Sequence, residues 1–259
     1  MKKLLFILSV AVLAGCNKND DKVVQPGEFR MSKSIHIGNS NTDTTYYTYS
    51  GDDASYKVSH SNTSSIYNNV YTKNGSQYDL AFYTNSTKTH EGFSHLTASG
   101  FIDTGRVTNL STMLFNNRDK IYYDANNYAT RIITAYNGYT NDIKKFYSGG
   151  NYNYWIYDLL RTNPLDNTKD SVVFEYYLDK PKLTEFYMFE SKYGKLEKNL
   201  VKKRSTYDLL NSGALKRTYD YQYLTDANGL VTRQVLIIKD QPGNVITSND
   251  TTYYEYVAK

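Results

Sequence analysis

The stretch TYDYQYLTDANGLVTRQVLII, residues 218–238, decides how this chain folds. Two runs in which polar and apolar residues alternate flank its centre, the tetrapeptide DANG from Asp226 to Gly229. Asp at the first position, Asn at the third and Gly at the fourth are typical of a type I turn followed by a left-handed residue, which closes a three-residue hairpin loop. The pattern therefore predicts a β-hairpin in which Asp226 faces Leu230.

This register also predicts which residues share a face, because side chains alternate between the two faces of a strand. The tyrosines of the first strand fall together on one face, which we predict to be a tyrosine-rich inner face. The expected cross-strand pairs on that face are Tyr223 with Arg233, Tyr221 with Val235, and Tyr219 with Ile237.

The same unit recurs elsewhere in the chain. Residues 124–131 read DANNYATR and residues 226–233 read DANGLVTR, with Asn127 in the place of the turn glycine. Asn is among the non-glycine residues that adopt positive φ most readily. Residues 43–49 (DTTYYTY) also recur almost unchanged as residues 250–256 (DTTYYEY). Repetition of this kind predicts a chain built from a series of similar supersecondary units.

Turn signals at short intervals support a series of hairpins. Dipeptides ending in glycine separate β-favouring runs at Asn74-Gly75, Tyr193-Gly194, Ser212-Gly213, Asn228-Gly229 and Pro242-Gly243, and the last four lie 19, 16 and 14 residues apart. Their spacing allows one hairpin per repeat, with strands running up and down. We predict an all-β fold, an antiparallel meander of repeated hairpins forming a long curved or partly rolled sheet. A β-sandwich or a barrel is the alternative.

Two stretches are harder to interpret. Residues 195–210 have apolar residues at helical offsets, but the preceding glycine and the repeat pattern favour a strand. Residues 84–117 show little periodicity and are rich in Ser, Thr, Gly and Asn. We expect long loops or irregular strands in that region.

The first residues are interpreted as a lipoprotein signal peptide, residues 1–15, which is removed from the mature protein. A short basic start precedes an apolar run that is too short to span a bilayer as a helix. The run ends in LAGC, which resembles a bacterial lipobox and implies lipidation of Cys16, the only cysteine in the chain. Residues 16–27 then form a lipidated flexible tether, and residues 28–259 form the repetitive β domain.

The composition limits the partners that this domain can have. The chain contains 28 tyrosines, and a tyrosine ring buries apolar area while its hydroxyl needs a polar partner. Loss of residues 1–15 removes two lysines, which leaves 28 basic and 26 acidic side chains and a formal charge of +2. No dense basic block is present, so we expect no nucleic-acid partner.

The tyrosine-aspartate pairs and their turns resemble a known group of proteins. Tyr219-Asp220, joined to turns such as DANGLVT, is similar to the degenerate YD-type repeats of Bacteroidota outer-membrane lipoproteins. The resemblance covers roughly residues 120–256, and KNDD at residues 18–21 resembles the acidic export signal of surface lipoproteins. The YD-type resemblance implies an antiparallel β architecture and an envelope location, and it brings no catalytic residues. The acidic signal indicates exposure at the cell surface, with an outer-membrane protein facing the periplasm as the alternative.

Candidates for catalysis and metal binding are weak. His90 and His95 lie five residues apart, whereas two ligands on one helix face need a separation of four. Acidic residues that we assign to strands, with nothing in the sequence to pair them, are Glu175, Glu185, Glu190 and Glu255. We therefore expect no enzyme, no cofactor and no metal site.

The aromatic residues near the single tryptophan are the candidates for ligand binding. Alternation places Tyr152, Tyr154 and Ile156 on one strand face, and Trp155 and Tyr157 on the other. An exposed Trp155 flanked by Tyr152, Tyr154 and Tyr157 would suit stacking against a sugar ring, whereas a buried Trp155 is simply part of the core. We favour the core interpretation.

These observations predict a non-enzymatic, lipid-anchored protein of the cell envelope, on the outer membrane and exposed at the cell surface. Its partners are the membrane, through the lipid anchor, and either a glycan or another envelope protein. The alternative function is a surface glycan-binding lipoprotein of a polysaccharide-uptake system.

Overall fold

The computed structural model describes residues 29–186 and 190–258, and these form a closed barrel of sixteen antiparallel strands. The signal peptide, Cys16 and the tether lie outside the described residues. The strands are β1 (Phe29–Ile37), β2 (Thr42–Ser50), β3 (Asp53–His60), β4 (Ile66–Asn74), β5 (Gln77–Thr84), β6 (Thr87–Leu96), β7 (Ile102–Asn109), β8 (Phe115–Tyr123), β9 (Ala129–Tyr136), β10 (Tyr139–Ser148), β11 (Asn151–Arg161), β12 (Thr168–Pro181), β13 (Asn199–Asp208), β14 (Ala214–Thr225), β15 (Val231–Asp240) and β16 (Val245–Ala258). Short 3₁₀ turns cover Pro164–Asp166 and Glu190–Tyr193. No helix among these residues is long and apolar enough to cross a membrane.

The all-β antiparallel meander is confirmed, because each strand pairs with the next along the chain. The expected long curved or partly rolled sheet is refined to the barrel alternative, because the sheet closes on itself. The two edges of the sheet meet where β1 pairs with β16, with Met31 opposite Tyr256 and Ile35 opposite Tyr253. Closure gives the backbone N–H and C=O groups of both edge strands a partner, which an open sheet would leave unpaired.

The predicted DANG hairpin is present between β14 and β15. The backbone N–H of Asp226 donates to the carbonyl of Leu230 at 2.9 Å. The Oδ1 atom of Asp226 accepts from the N–H groups of Asn228 and Leu230, each at 2.9 Å. Gly229 has φ of 78°, in the left-handed region where glycine carries no steric cost.

The echo of this turn between β8 and β9 is confirmed as well. Asp124 Oδ1 accepts from the N–H groups of Asn126 and Tyr128 at 2.9 Å, the same pair of bonds that Asp226 makes. Asn127 takes the place of the turn glycine and has φ of 67°. Sequence similarity between these two loops therefore reflects the same turn chemistry.

The cross-strand pairs predicted from the DANG turn are wrong by one residue. Thr225 pairs with Val231, but Leu224 pairs with Arg233, because a β-bulge at Thr232 shifts the register. The tyrosines of β14 consequently face Gln234, Leu236 and Ile238, whereas the predicted partners Arg233, Val235 and Ile237 point outward.

Three further expectations are tested by the strand assignments. Residues 84–117 form strands and not long loops, and the alternative of irregular strands is met in part, because the ladders shift register between His95 and Leu96 and between Val107 and Thr108. The interpretation of residues 195–210 as a strand is confirmed for Asn199–Asp208. Tyr193-Gly194 does not form a hairpin turn and belongs to the long connection between β12 and β13.

The barrel has two ends that differ in their connections. We call the end where β1 begins and β16 ends the terminal rim, and the other end the distal rim. The connection of residues 182–198, which leaves β12 at the terminal rim, is much longer than the others, which have at most six residues. We call the described residues of this connection, 182–186 and 190–198, the lumen segment.

The outer wall of the barrel carries charged side chains around its circumference. Alternation along each strand separates these residues from the inward-pointing tyrosines. Ion pairs on this outer face join Lys33 to Glu255 at 2.8 Å, Arg131 to Asp142 at 2.6 Å and Lys239 to Asp220 at 2.9 Å. Other outward charges near mid-strand are those of Lys57, Glu91, Arg106, Arg118, Lys144 and Lys203.

Candidate functional site in the barrel lumen

Large inward side chains and one chain segment fill the lumen. A barrel of sixteen strands encloses a space too wide for side chains from opposite walls to meet. The lumen segment enters this space, because Tyr193 packs against the same buried cluster as Tyr71 and Tyr123, which come from strands far around the wall. The members of this buried cluster are Tyr78, Leu80, Leu96, Ile102, Ile121 and Ala129. The lumen segment is therefore part of the core.

Backbone and ring contacts fix both halves of the lumen segment to the terminal rim. The N–H of Lys195 donates to the carbonyl of Asn127 at 2.9 Å, and the N–H of Lys198 donates to the carbonyl of Gly150 at 3.0 Å. On the other side of the barrel, the ring of Phe186 lies 5.5 Å from that of Tyr254. The segment thus covers the lumen at this rim from several directions.

A buried ion cluster holds the lumen segment together. Lys182 Nζ donates to Glu190 Oε1 and lies 2.9 Å from Glu197 Oε2. These side chains are only 6%, 10% and 13% exposed. Burial disfavours the charged ammonium, but the two carboxylates outweigh it and raise the pKa of Lys182. Burial raises the pKa of Glu190 despite its bond to Lys182.

Two of the acidic residues that the sequence analysis assigned to strands do not lie on strands. Glu185 and Glu190 lie in the lumen segment, and only Glu175 and Glu255 lie on strands. Glu190 and Glu197 do approach one another, but the Lys182 ammonium lies between them and bonds to both. The space that a scissile bond would need between two catalytic carboxylates is thus filled by a side chain of the protein.

A cavity of about 690 Å³ lies between the lumen segment and the walls. Its wall residues come from strands on both sides of the barrel, and its floor comes from the lumen segment. Aromatic residues that line it are Tyr47, Tyr56, Tyr71, Tyr152, Trp155 and Tyr193, and charged residues that line it are Lys145, Glu190, Lys195 and Glu197. This volume is in the range of sites that hold small molecules.

Three of the four predicted ligand-binding residues face the lumen, and one does not. A β-bulge at Asn153 puts Tyr152 on the same face as Trp155, because Tyr147 pairs with Tyr152 while Phe146 pairs with Tyr154. Tyr157 also points inward, where its hydroxyl donates to Asn141 Oδ1 at 2.9 Å. The prediction that Tyr152 and Tyr154 share a face is therefore wrong.

Tyr154 lies on the outer wall. Its ring stacks on that of Phe146, with centroids 4.4 Å apart. The two rings belong to paired residues of β10 and β11. Tyr154 thus contributes to the outer surface of the sheet and is removed from the candidate site.

Trp155 is neither fully buried nor displayed on an open surface. It is partly exposed to the lumen, and its ring contacts those of Tyr152 at 5.0 Å and Phe174 at 4.6 Å. The indole Nε1 is buried and has no hydrogen-bond partner among the described residues. Trp155 thus packs among aromatic residues and also lines a cavity, and its role in ligand binding stays a prediction.

Lys145 is a site residue that sequence reasoning missed. Its Nζ lies 4.8 Å from the ring centroid of Trp155 and 5.0 Å from that of Tyr152, and it donates to the Tyr152 hydroxyl at 3.4 Å. No carboxylate in residues 29–186 or 190–258 lies within ion-pair distance of it. Burial lowers its pKa to about 8. The inward alternation of Ile143, Lys145 and Tyr147 was the available signal.

A second cavity, of about 620 Å³, shares part of its wall with the first. It is more apolar, with Val58, Leu80 and Phe82 among its lining, and His60 and His90 add polar groups. His60 lies 2.6 Å from Asp43 through Nδ1. Within the described part of the chain, no group of three or more His, Cys, Asp or Glu residues is arranged to hold a metal ion.

Comparison with known proteins gives a likeness of fold. No family model matches the chain, and no curated protein matches it in sequence. The barrel is similar to solved porin-like proteins. One is from Bacteroides uniformis ATCC 8492, with a TM-score of 0.61 and 12% identity over 88% of this chain and 96% of that one. Another is from Bacteroides vulgatus ATCC 8482, with a TM-score of 0.59 and 9% identity over 88% of this chain and 98% of that one.

Proposed function

We propose that this protein is a lipid-anchored, non-enzymatic protein of the bacterial outer membrane, exposed at the cell surface, that interacts with its ligand through the barrel lumen. The observation that carries the proposal is the distribution of polarity across the barrel wall. Charges such as Arg106, Arg118 and Asp220 point outward, while the tyrosines of β14 point inward.

This distribution favours a barrel that stands in water beside the membrane. A barrel that spans a bilayer needs an outward apolar band about 25 Å tall, and each outward Lys or Arg at the midplane costs about 2–4 kcal/mol. Outward charges near mid-strand are instead spread over many strands of this barrel. The lipid on Cys16 would then supply the membrane attachment, with several acyl chains to hold it there.

The position of the tether supports an orientation for the barrel. Residues 16–27 would connect the lipid to Phe29, which pairs with Ala258 at the terminal rim. The lumen segment covers the same rim, so the distal rim would face away from the membrane. The likeness to porin-like proteins of Bacteroides supports an envelope location, and the resemblance to YD-type lipoproteins supports the same assignment.

Replacing the lipidated cysteine tests the anchored, water-facing barrel. The Cys16→Ser variant should leave the membrane fraction and remain soluble and β-rich in buffer without detergent, as measured by cell fractionation and circular dichroism. The wild-type protein is the control and should partition with outer membranes. A variant that stays in the membrane, or that needs detergent to remain in solution, would show that the barrel itself inserts in lipid.

Surface exposure needs a separate measurement. Proteinase K added to intact cells should digest the protein if the barrel is outside, whereas a barrel facing the periplasm is digested only after the cells are opened. A periplasmic marker protein that survives in the same sample is the control.

A second candidate function is glycan binding for polysaccharide uptake, and the inward aromatic residues favour it. Tyr152, Tyr157 and Trp155 line the lumen together, and stacked aromatic rings with nearby polar groups suit sugar rings. Glycan-array binding that is lost in Trp155→Ala but kept in Tyr154→Ala, on the outer wall, would establish this function. Equal binding by both variants would place the glycan site elsewhere.

A further inference from the structure

Lys145, one of the two lysines that line the 690 Å³ cavity, has hydrogen-bonding capacity that the described residues do not use. The Lys145 ammonium has three N–H groups, but among the described residues its hydrogen bond is a long one of 3.4 Å to the Tyr152 hydroxyl. The rings of Tyr152 and Trp155 cover it by cation–π contact. Lys145 is half-buried, and a cation removed from water is normally paired, so this arrangement lacks an acceptor.

The acidic residues nearby do not supply that acceptor. Glu190 and Glu197 line the same cavity, but both are bonded to Lys182 within the lumen segment. Lys145 therefore has no carboxylate of its own among the described residues, and the carboxylate of a ligand would supply one.

The walls of the cavity indicate the shape and size of a ligand that would fit there. The aromatic rings of Tyr152, Trp155 and Tyr193 border the space. Rings of this kind favour a flat or ring-shaped partner. The volume excludes a long polymer from lying wholly inside and admits one or a few rings.

We propose that this cavity binds a small molecule that carries a carboxylate on a ring, with the carboxylate at Lys145 and the ring against Tyr152 and Trp155. The inference rests on the proposed role of the lumen in ligand binding and names the chemistry of the ligand. Two sources share this chemistry: an acidic sugar, such as a uronic acid, and an aromatic acid.

The single tryptophan provides the measurement, because Trp155 is part of the proposed site. The full-length protein, purified from membranes in mild detergent, is titrated with D-glucuronate, benzoate or D-glucose while tryptophan emission is recorded. Glucuronate or benzoate should change the emission saturably, and whichever binds more tightly identifies the source. Glucose, which lacks the carboxylate, should bind about 10- to 100-fold more weakly than glucuronate.

Two variants separate this site from surface charge effects. Lys145→Met should weaken binding of the acid by about 10- to 100-fold. Lys144→Met is the matched control, since Lys144 is exposed on the outer wall one residue away, and it should leave binding unchanged. Binding that is equal for glucose and glucuronate, equal in wild type and Lys145→Met, or absent for all three compounds would overturn the inference.

A pH series on the wild-type protein keeps the test decisive if Lys145→Met does not fold. The groups facing Lys145 are Tyr152 on β11 and Lys182, Glu190, Lys195 and Glu197 on the lumen segment. Because the pKa of Lys145 is lowered to about 8, affinity for the acid should fall about tenfold per pH unit above 8, while any glucose binding stays constant. Affinity for the acid that does not change between pH 7 and pH 9.5 would also overturn the inference. If the acidic ligand does not bind, the proposals of a lipid anchor and of a water-facing outer wall are unaffected, because the Cys16→Ser experiment tests those.

Discussion

Gly92, in the middle of β6, shows how closely two strands of this barrel approach. A Cβ atom built at Gly92 would lie 2.0 Å from the carbonyl oxygen of Arg106 on β7, far inside van der Waals contact. A Cβ atom built in the same way at Gly105, on the neighbouring strand, would lie 3.5 Å from its nearest atoms. The two glycines thus have different steric roles although both lie in regular strands.

Substitution of these glycines should separate the two roles. Gly92→Ala should lower the free energy of unfolding by about 1–3 kcal/mol or more, because the backbone of β7 must move to admit the methyl group. Gly105→Ala is the control and should change stability by less than about 1 kcal/mol, since its methyl group makes ordinary contacts. Urea unfolding followed by circular dichroism measures both, and equal stability of the two variants would contradict this explanation.

Asp226 and Asp124 explain why similar tetrapeptides recur in the chain. Each carboxylate accepts hydrogen bonds from two backbone N–H groups of its own turn. In both turns the residue with positive φ, Gly229 or Asn127, lies two positions before the next strand begins. Such bonds satisfy backbone donors that the strand ladder leaves free at a turn. Turn chemistry is therefore set by local sequence.

At the scale of elements, the lumen segment is the part of the chain that departs from the repeat. Its buried Lys182 interacts with two carboxylates, and burial of unpaired charge is costly when one member is removed. The outward ion pairs of the wall are exposed and contribute much less. The ion cluster thus controls whether the segment stays folded inside the barrel.

Lys182→Met should destabilise the protein by about 3–5 kcal/mol, because Glu190 and Glu197 would remain buried without a cation. Limited proteolysis should then cut within residues 182–198 before the strands. Lys239→Met, which removes the exposed partner of Asp220, is the control and should cost at most about 1 kcal/mol.

A triple variant that also carries Glu190→Gln and Glu197→Gln should recover part of the lost stability, because it removes the uncompensated charges. If Lys182→Met left both stability and proteolysis unchanged, the ion cluster would have no part in holding the segment.

At the scale of the whole molecule, the inward tyrosines link stability to alkaline pH. Burial raises the pKa of Tyr49, Tyr193 and Tyr256 to about 12, and others such as Tyr223 and Tyr254 are raised further. Tyrosines in the unfolded chain ionise near pH 10. Between these values the folded state holds more protons, so stability must fall as pH rises.

The barrel should therefore unfold cooperatively above about pH 10, with phenolate absorbance rising together with the loss of β circular dichroism. A urea-unfolded sample is the control and should ionise near pH 10 without a transition. Complete ionisation near pH 10 with the barrel still folded would show that the tyrosines are open to water.

Local sequence determined the two DANG-type turns, the strands beside them and the inward face of β14. Alternation and the DANG turn needed no distant partner, because they depend on backbone geometry and on hydrogen bonds within a few residues. The registers beyond the first bulge could not be read in this way. The bulges at Thr232 and Asn153 are fixed by the neighbouring strand, and each one exchanges the inner and outer faces of the residues beyond it.

The closed barrel and its interior were decided only by the tertiary structure. Pairing of β1 with β16 joins residues more than 200 positions apart, and no local pattern specifies that contact. The same holds for the candidate site, where Lys145 on β10, Trp155 on β11 and Tyr193 in the lumen segment meet around one cavity. A lipid on Cys16 stays a prediction from sequence. Local propensity sets what each strand and turn is, whereas closure depends on the number, twist and register of all sixteen strands together.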